Sequence, residues 1–193
     1  MRSVMVILFL VMTIGAFAQK QGIGLRVGNP LGLTYKRYLP NDRAFEFGIG
    51  TAPPNWNKNY YENSFYDLDQ YEDYRSYRSH KVNSTVYFQG RYLFQYNIPV
   101  EGMVGKLDWY WGAGALLKFA GVQYTYQEND APGPDSKDTR TDIDFGPEGI
   151  AGMEYTFDHI PLTVFGEVSV LLEFADRPLT FRAFGAAGAR FNF

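Results

Sequence analysis

No cysteine occurs in this chain, which excludes disulfide staples, thiolate metal sites and a lipid anchor on a cysteine behind a leader. Histidine is scarce as well, with two in 193 residues, and the net charge is −3. A strongly basic footprint is therefore missing, and nucleic acid is excluded as a partner. Long apolar runs are lacking beyond the amino terminus. There Met1 and Arg2 precede an apolar run from Val4 to Val11, and Ala16-Phe17-Ala18 supplies a small-x-small cleavage pattern before Gln19. Residues 1–18 thus read as a secretory signal peptide, leaving residues 19–193 as the mature domain. With no second run long enough for a spanning helix, a membrane-embedded mature chain has to be a closed barrel, because only helices and barrels satisfy their backbone in lipid.

What is abundant is aromatic: 15 Tyr and 16 Phe help bring the aromatic share to 18%, a composition suited to interfacial belts. The segment from Thr180 to Phe193 organises the rest. Phe181, Ala183, Gly185, Ala187, Ala189, Phe191 and Phe193 form one apolar row, and both arginines, Arg182 and Arg190, fall on the other. A period of two is a strand signal. The length suffices for a tilted strand to cross a bilayer, which takes about 9 to 11 residues.

The same alternation recurs along the chain. It predicts strands from Gly22 to Val27, Leu31 to Tyr38, Phe45 to Gly50, Val82 to Gln95, Asp108 to Phe119, Arg140 to Glu154, and Thr163 to Glu173, with the final strand making eight. Turn clusters at Asn29-Pro30, Pro40-Asn41-Asp42 and Asp158-His159-Ile160-Pro161 separate them. Two stretches break the pattern and read as long polar loops, from Ala52 to about His80 and from Gln127 to Thr139. Pro147 removes a ladder hydrogen bond inside the sixth strand and predicts a bulge or local break.

These features resemble Gram-negative outer-membrane β-barrels, specifically the small OmpA-like and OmpX-like proteins and the porin-like barrel families. The closing strand that ends on phenylalanine is the specific point of likeness. The resemblance implies an all-β fold, a closed antiparallel transmembrane barrel of about eight strands. It implies the cell outer membrane as location, with both termini in the periplasm, short inner turns and longer outer loops. It further implies that Phe191 and Phe193 act as an assembly signal for the barrel assembly machinery. Outer-membrane lipid and lipopolysaccharide, together with an extracellular ligand, are the other partners it implies, for a monomer without a cofactor. Unlike OmpA, the chain carries no peptidoglycan-binding domain, so cell-wall anchoring is not implied.

On the barrel reading, the inward row collects Arg26, Lys36, Arg91, Lys118, Arg182 and Arg190 against Glu46, Asp144, Glu148, Glu154, Glu167 and Glu173. An eight-stranded barrel has an interior that side chains can just fill, and unpartnered charge there is costly. The expectation is a polar plug of ion pairs rather than a set of general acids and bases. The outer loop offers Tyr60, Tyr61, Tyr66, Tyr71, Tyr74 and Tyr77, which supply broad amphipathic contact area at low side-chain entropy; the same residues would serve as an interfacial belt or a cap over the mouth. His80 with Ser79 and Ser84 is the sole grouping with a catalytic residue type near the outer rim. The acidic stretch from Asp67 to Asp73 lacks the glycine bend and terminal glutamate of a calcium loop, and no metal is assigned. The expected function is a non-enzymatic barrel with a plugged polar interior, serving envelope integrity or surface interaction through its outer loops. A narrow transporter of small solutes and a lipid-modifying enzyme are the alternatives.

Overall fold

The structure of the protein is a computed structural model and describes residues 20–51, 58–66, 75–128, 133–174 and 180–193. The leader read at residues 1–18 lies outside them. Eight strands, β1 (Gln21–Gly28), β2 (Leu31–Leu39), β3 (Arg43–Thr51), β4 (Arg75–Asn97), β5 (Lys106–Glu128), β6 (Ser136–Thr156), β7 (Leu162–Glu173) and β8 (Thr180–Asn192), are joined by short connections except where helix α1 (Lys58–Tyr66) intervenes between β3 and β4. Each strand pairs antiparallel with the next, and β8 returns to β1 to close the barrel.

The alternation in the sequence becomes an inside-out distribution of polarity. Leu25 is 63% exposed while its neighbour Arg26 is fully buried. In water this arrangement would expose the apolar row and bury the charge at a loss on both counts. Hydrocarbon around the barrel removes that loss, so this is a membrane barrel. Ile23, Leu33, Phe47, Phe88, Trp111, Phe145, Val168 and Phe181 continue the exposed apolar row around the wall. Among the described residues no helix is long and apolar enough to cross a membrane; the strands do the crossing. Near the end that carries the termini, Phe94 stacks on Trp111 at 4.8 Å and Tyr96 on Trp109 at 4.9 Å, the kind of aromatic girdle found at a membrane interface. At this terminal end Phe193 N donates to Gln21 O at 2.9 Å and Gln21 N to Phe193 O at 3.2 Å, tying the last residue to the first strand. The β2–β3 turn here is tight, with Asn41 and Asp42 both at positive φ, a conformation that these residue types tolerate better than most.

The structure departs from the sequence reading at the opposite, distal end. The stretch expected to be loop from Ala52 to His80 contains α1 and the first residues of β4, which begins at Arg75 rather than Val82. Likewise β5 runs on to Glu128 and β6 starts at Ser136, which shortens the expected loop to residues 129–135. Polar side chains concealed these extensions, because there the sheet leaves the membrane and its outward row no longer needs to be apolar. The change falls on one line of paired residues, Ser84 opposite Gly121 and Gly121 opposite Thr141. On the terminal side of this line the outward rows read Val86, Phe119 and Ile143; on the distal side they read Lys81, Gln123 and Thr139.

Of two register shifts in the β4–β5 ladder, the one at Val82/Ser84 reverses the faces expected from the alternation and the one at Tyr77/Ser79 restores them. Val82, expected outside, packs against the inner cluster of the distal sheet, and Asn83, expected inside, is exposed. An extra residue in one strand moves every residue beyond it to the other face. Pro147 causes no break with β5, where Ala115 sits opposite it in unbroken register. On the β7 side the paired register starts at Glu148, and beyond Pro147 a single bond in the same register, from Phe174 N to Phe145 O at 2.9 Å, resumes it, so the missing donor leaves the expected local break in that ladder.

Candidate functional site

Among the described residues the ion pairs of the lumen fall into two layers. In the lower layer Arg26 Nη2 lies 2.5 Å from Glu46 Oε1 and 2.7 Å from Glu167 Oε1. Arg91 reaches the same two carboxylates at 3.0 and 2.9 Å and holds Glu148 at 2.6 Å. Arg190 bridges Glu46 and Glu154, the latter at 3.2 Å, and Lys36 Nζ sits 2.7 Å from Glu154. Four cations thus face four carboxylates in one connected network. The upper layer is smaller. Lys118 and Arg182 share Asp144, and Arg182 Nη2 also reaches Glu173 at 2.7 Å.

All twelve side chains named from the sequence therefore point inward, and the register between strands determines which meet. The sequence reading missed the neutral partners. Gln89 Nε2 donates to Glu148 at 2.6 Å, Gln95 Nε2 to Glu154 at 2.5 Å, and the Tyr110 hydroxyl to Glu167 at 3.0 Å. Their signal was present, since all three lie on inward rows among charges, but the distances that give them partners are set across the bore. Buried carboxylates need their remaining lone pairs satisfied, and these groups do so.

Glycine gives the long side chains their room. A Cβ at Gly114 would lie 2.2 Å from the Gly90 carbonyl oxygen and 2.8 Å from Arg91 Cγ, so only a bare backbone lets Arg91 extend across that position. At Gly188 a Cβ would meet the Phe165 ring at 2.5 Å, the ring over which the Arg190 guanidinium stacks at 3.7 Å.

Between the ionic layers lies an apolar septum of Tyr87, Leu116 and Leu171 with Phe184 packed on it. Its level follows from the strands. On β5 Leu116 falls between Lys118 of the upper layer and Gly114, which faces Arg91; on β7 Leu171 falls between Glu173 and Glu167; on β8 Phe184 falls between Arg182 and Arg190. Sequence patterning counted these four as inward residues without assigning them a role.

The second candidate is the distal sheet, where β4, β5 and β6 project past the Ser84–Gly121–Thr141 line. From Gly121 to Glu128, β5 extends by roughly 24 Å at about 3.4 Å per residue. Helix α1 packs on the inner face. Tyr61 and Phe65 are buried with Ala120, Val122, Tyr124 and Tyr126, and Tyr77 and Val82 complete the cluster. Phe65 lies 5.5 Å from the Tyr124 ring and 5.7 Å from that of Tyr126. The expected contact tyrosines therefore separate. Tyr61 is 0% exposed and is a core residue rather than a surface contact; Tyr66 is 37% exposed; Tyr77 is half-buried. The side chain of Tyr60, and Tyr71 and Tyr74 altogether, lie outside the described residues.

His80 faces this inner cluster, 4.5 Å from the Tyr61 ring, with its Nδ1 hydrogen-bonded to the Tyr77 hydroxyl at 2.6 Å. Burial pushes its imidazole below the ordinary value of 6.5. Ser79 pairs with Thr125 and Ser84 with Gly121 on the opposite face of the sheet, so the grouping of histidine and serines is not brought together. Among the described residues, no three His, Cys, Asp or Glu side chains gather in a way that could hold a metal.

Lumen and distal sheet together define a transmembrane β-barrel crossed by ion pairs and carrying a folded sheet-and-helix platform at one end. No family model and no curated protein matches the chain. Among solved structures it is similar to the N-terminal β-barrel domain of Pseudomonas aeruginosa OprF, at 14% identity and a TM-score of 0.49 over 90% of this chain and 95% of that one. It is also similar to Neisserial surface protein A, NspA, at 13% identity and a TM-score of 0.38 over 90% and 93%.

Proposed function

We propose that the protein is a non-enzymatic barrel of the cell outer membrane, closed to solutes, whose role is to hold the distal platform above the membrane for surface interaction or envelope integrity. The observation that carries this reading is the apolar septum between two layers of ion pairs. A charge entering the bore would have to break ion pairs and then cross a contact of Tyr87, Leu116, Leu171 and Phe184 that offers it little solvation. Short turns at the terminal end and the projecting sheet at the other support an orientation with the termini in the periplasm and the platform outside. A platform with its own aromatic core is a rigid presenting surface, and such a surface spares a partner the cost of ordering a loop.

Two measurements test this. Reconstituted in planar bilayers, the protein should show no steady conductance; a large, ion-selective current would establish the transporter instead. Because the chain has no cysteine of its own, Asp135→Cys provides a single thiol on the exposed platform. An impermeant maleimide should label it on intact cells, and labelling only after permeabilisation would overturn the orientation.

A further inference from the structure

We propose that the outward wall of β2–β6 binds one lipid of the surrounding leaflet, an acylated lipid carrying more than one phosphate, with a chain in a trough on the wall and its phosphates on the cations above. The site rests on the orientation proposed above only for the leaflet it faces.

The trough lies between two neighbouring lines of paired residues. Phe47, Gly90 and Ala115 form one line, and Ile49, Phe88 and Leu117 the next. Together they line a cavity of about 570 Å³, within the roughly 300–1,000 Å³ of ligand pockets. Its floor is low because Gly90 and Ala115 are small: a Cβ on Gly90 would touch only the Phe47 ring, at 3.8 Å. Lining residues Leu33 and Phe145 carry it from β2 to β6. Four strand spacings of about 4.8 Å give roughly 19 Å, comparable with the roughly 15 Å depth of one leaflet. Barrel strands tilt by about 35–45°, so a trough along the pairing direction slopes through the leaflet, as a chain entering from its surface must.

The cations stand on two of these strands, β4 and β6, and on the same face. Lys81 lies opposite Gln123 and Lys137 opposite Thr125, both outward and exposed, and Arg78 joins them through a hydrogen bond to Gln127. Among the described residues neither lysine takes part in an ion pair. Gln123 is two residues past Gly121, about 7 Å along the strand, and the headgroup layer is roughly 5–8 Å thick on each side of the bilayer core. Lys137 stands about 7 Å farther out, and flexible lysine stems let the heads bend back toward the membrane. Lys81 and Lys137 at two heights fit phosphates at two depths, with Arg78 farther out beside Gln127, which is why the inference commits to a multiply phosphorylated lipid.

The test uses the full chain in detergent, with bound lipid counted by native mass spectrometry. Four probes are added: an acylated glycolipid with two phosphates, the same lipid dephosphorylated, a single-phosphate glycerophospholipid, and inorganic phosphate. One copy of the first should be retained at least tenfold more tightly than the second or third. Inorganic phosphate should not compete below millimolar concentration. Gly90→Leu, which fills the trough, and the pair Lys81→Gln with Lys137→Gln should each weaken retention at least fivefold. Ala115→Leu serves as a second trough variant should the first fail to give the heat-modifiable band of a folded barrel. Equal retention of phosphorylated and dephosphorylated lipid, or no effect of either class of variant, overturns the site. A heat-modifiable protein that labels on intact cells yet retains no lipid refutes this inference alone; failure of surface labelling refutes the orientation and leaves the binding result to be judged by itself.

Discussion

Arg91 grips Glu148 at both carboxylate oxygens, with Nη2 2.6 Å from Oε1 and Nε 3.0 Å from Oε2, and its remaining terminal nitrogen, Nη1, serves Glu46 and Glu167. A single guanidinium thus holds three carboxylates of the lower layer. A bidentate pair of this kind is directional as well as strong. Replacing Arg91 with Gln leaves carboxylates buried without their cation, which costs about 3–5 kcal/mol. The barrel of this variant should melt at a lower temperature on heat-modified gels and show a measurable leak in bilayers. An unchanged melting point would mean that water already solvates these carboxylates.

The septum predicts a different variant. Leu171→Ala removes a buried side chain without disturbing any ion pair, at a cost of about 2–5 kcal/mol. If exclusion of water at the apolar level keeps the bore closed, this variant should conduct more than Lys118→Gln, which disrupts the upper ionic layer. The reverse order of conductances would assign closure to the ion pairs.

Tyr61 and Tyr66 both lie on α1 and have different predicted effects. Tyr61→Ala opens a hole in the aromatic cluster and should destabilise the platform by about 3 kcal/mol, seen as faster hydrogen exchange in β4 and β5 beyond Ser84. Tyr66→Ala empties no buried site and removes only the hydrogen bond that its hydroxyl accepts from Tyr77 N at 3.3 Å, so faster exchange should be confined to that amide. Equal effects would mean that α1 is not anchored through Tyr61.

His80 makes the platform sensitive to acid. Its folded value is depressed by burial, so between that value and about 6.5 the opened sheet binds the proton that the closed sheet does not. Stability is complete above this window and falls as pH drops through it. Hydrogen exchange over Tyr77 to Val82, corrected for intrinsic rates, should show more opening at pH 5 than at pH 7.5, and His80→Gln should abolish the difference. An opening free energy independent of pH in the parent protein would count against the burial of this ring.

Deleting Phe193 removes the pair of backbone hydrogen bonds to Gln21, each worth roughly 1 kcal/mol net. Refolding in detergent should therefore be little affected. Delivery to the membrane in cells should fall much further if the terminal aromatic is read during assembly, as the resemblance implies. Normal delivery of the truncated chain would remove that role from Phe193.

The sequence by itself determined the two faces of most of the wall. Alternation is a local property of a strand, so Leu25 outward and Arg26 inward, or Phe145 outward and Asp144 inward, could be read from neighbouring residues alone. It also determined that the inward row carries strong charges of both signs. Tertiary structure decided what depends on register between strands distant in sequence: that Arg91 meets Glu148, that the ionic layers divide around Leu116 and Leu171, and that Gly90 and Ala115 align into a trough. It decided the length of β4, β5 and β6 as well. Beyond Ser84 the sheet has left hydrocarbon, its outward row is polar, and two inserted residues shift the phase of β4, so the periodic signal that marks a membrane strand stops while the hydrogen-bonded strand continues.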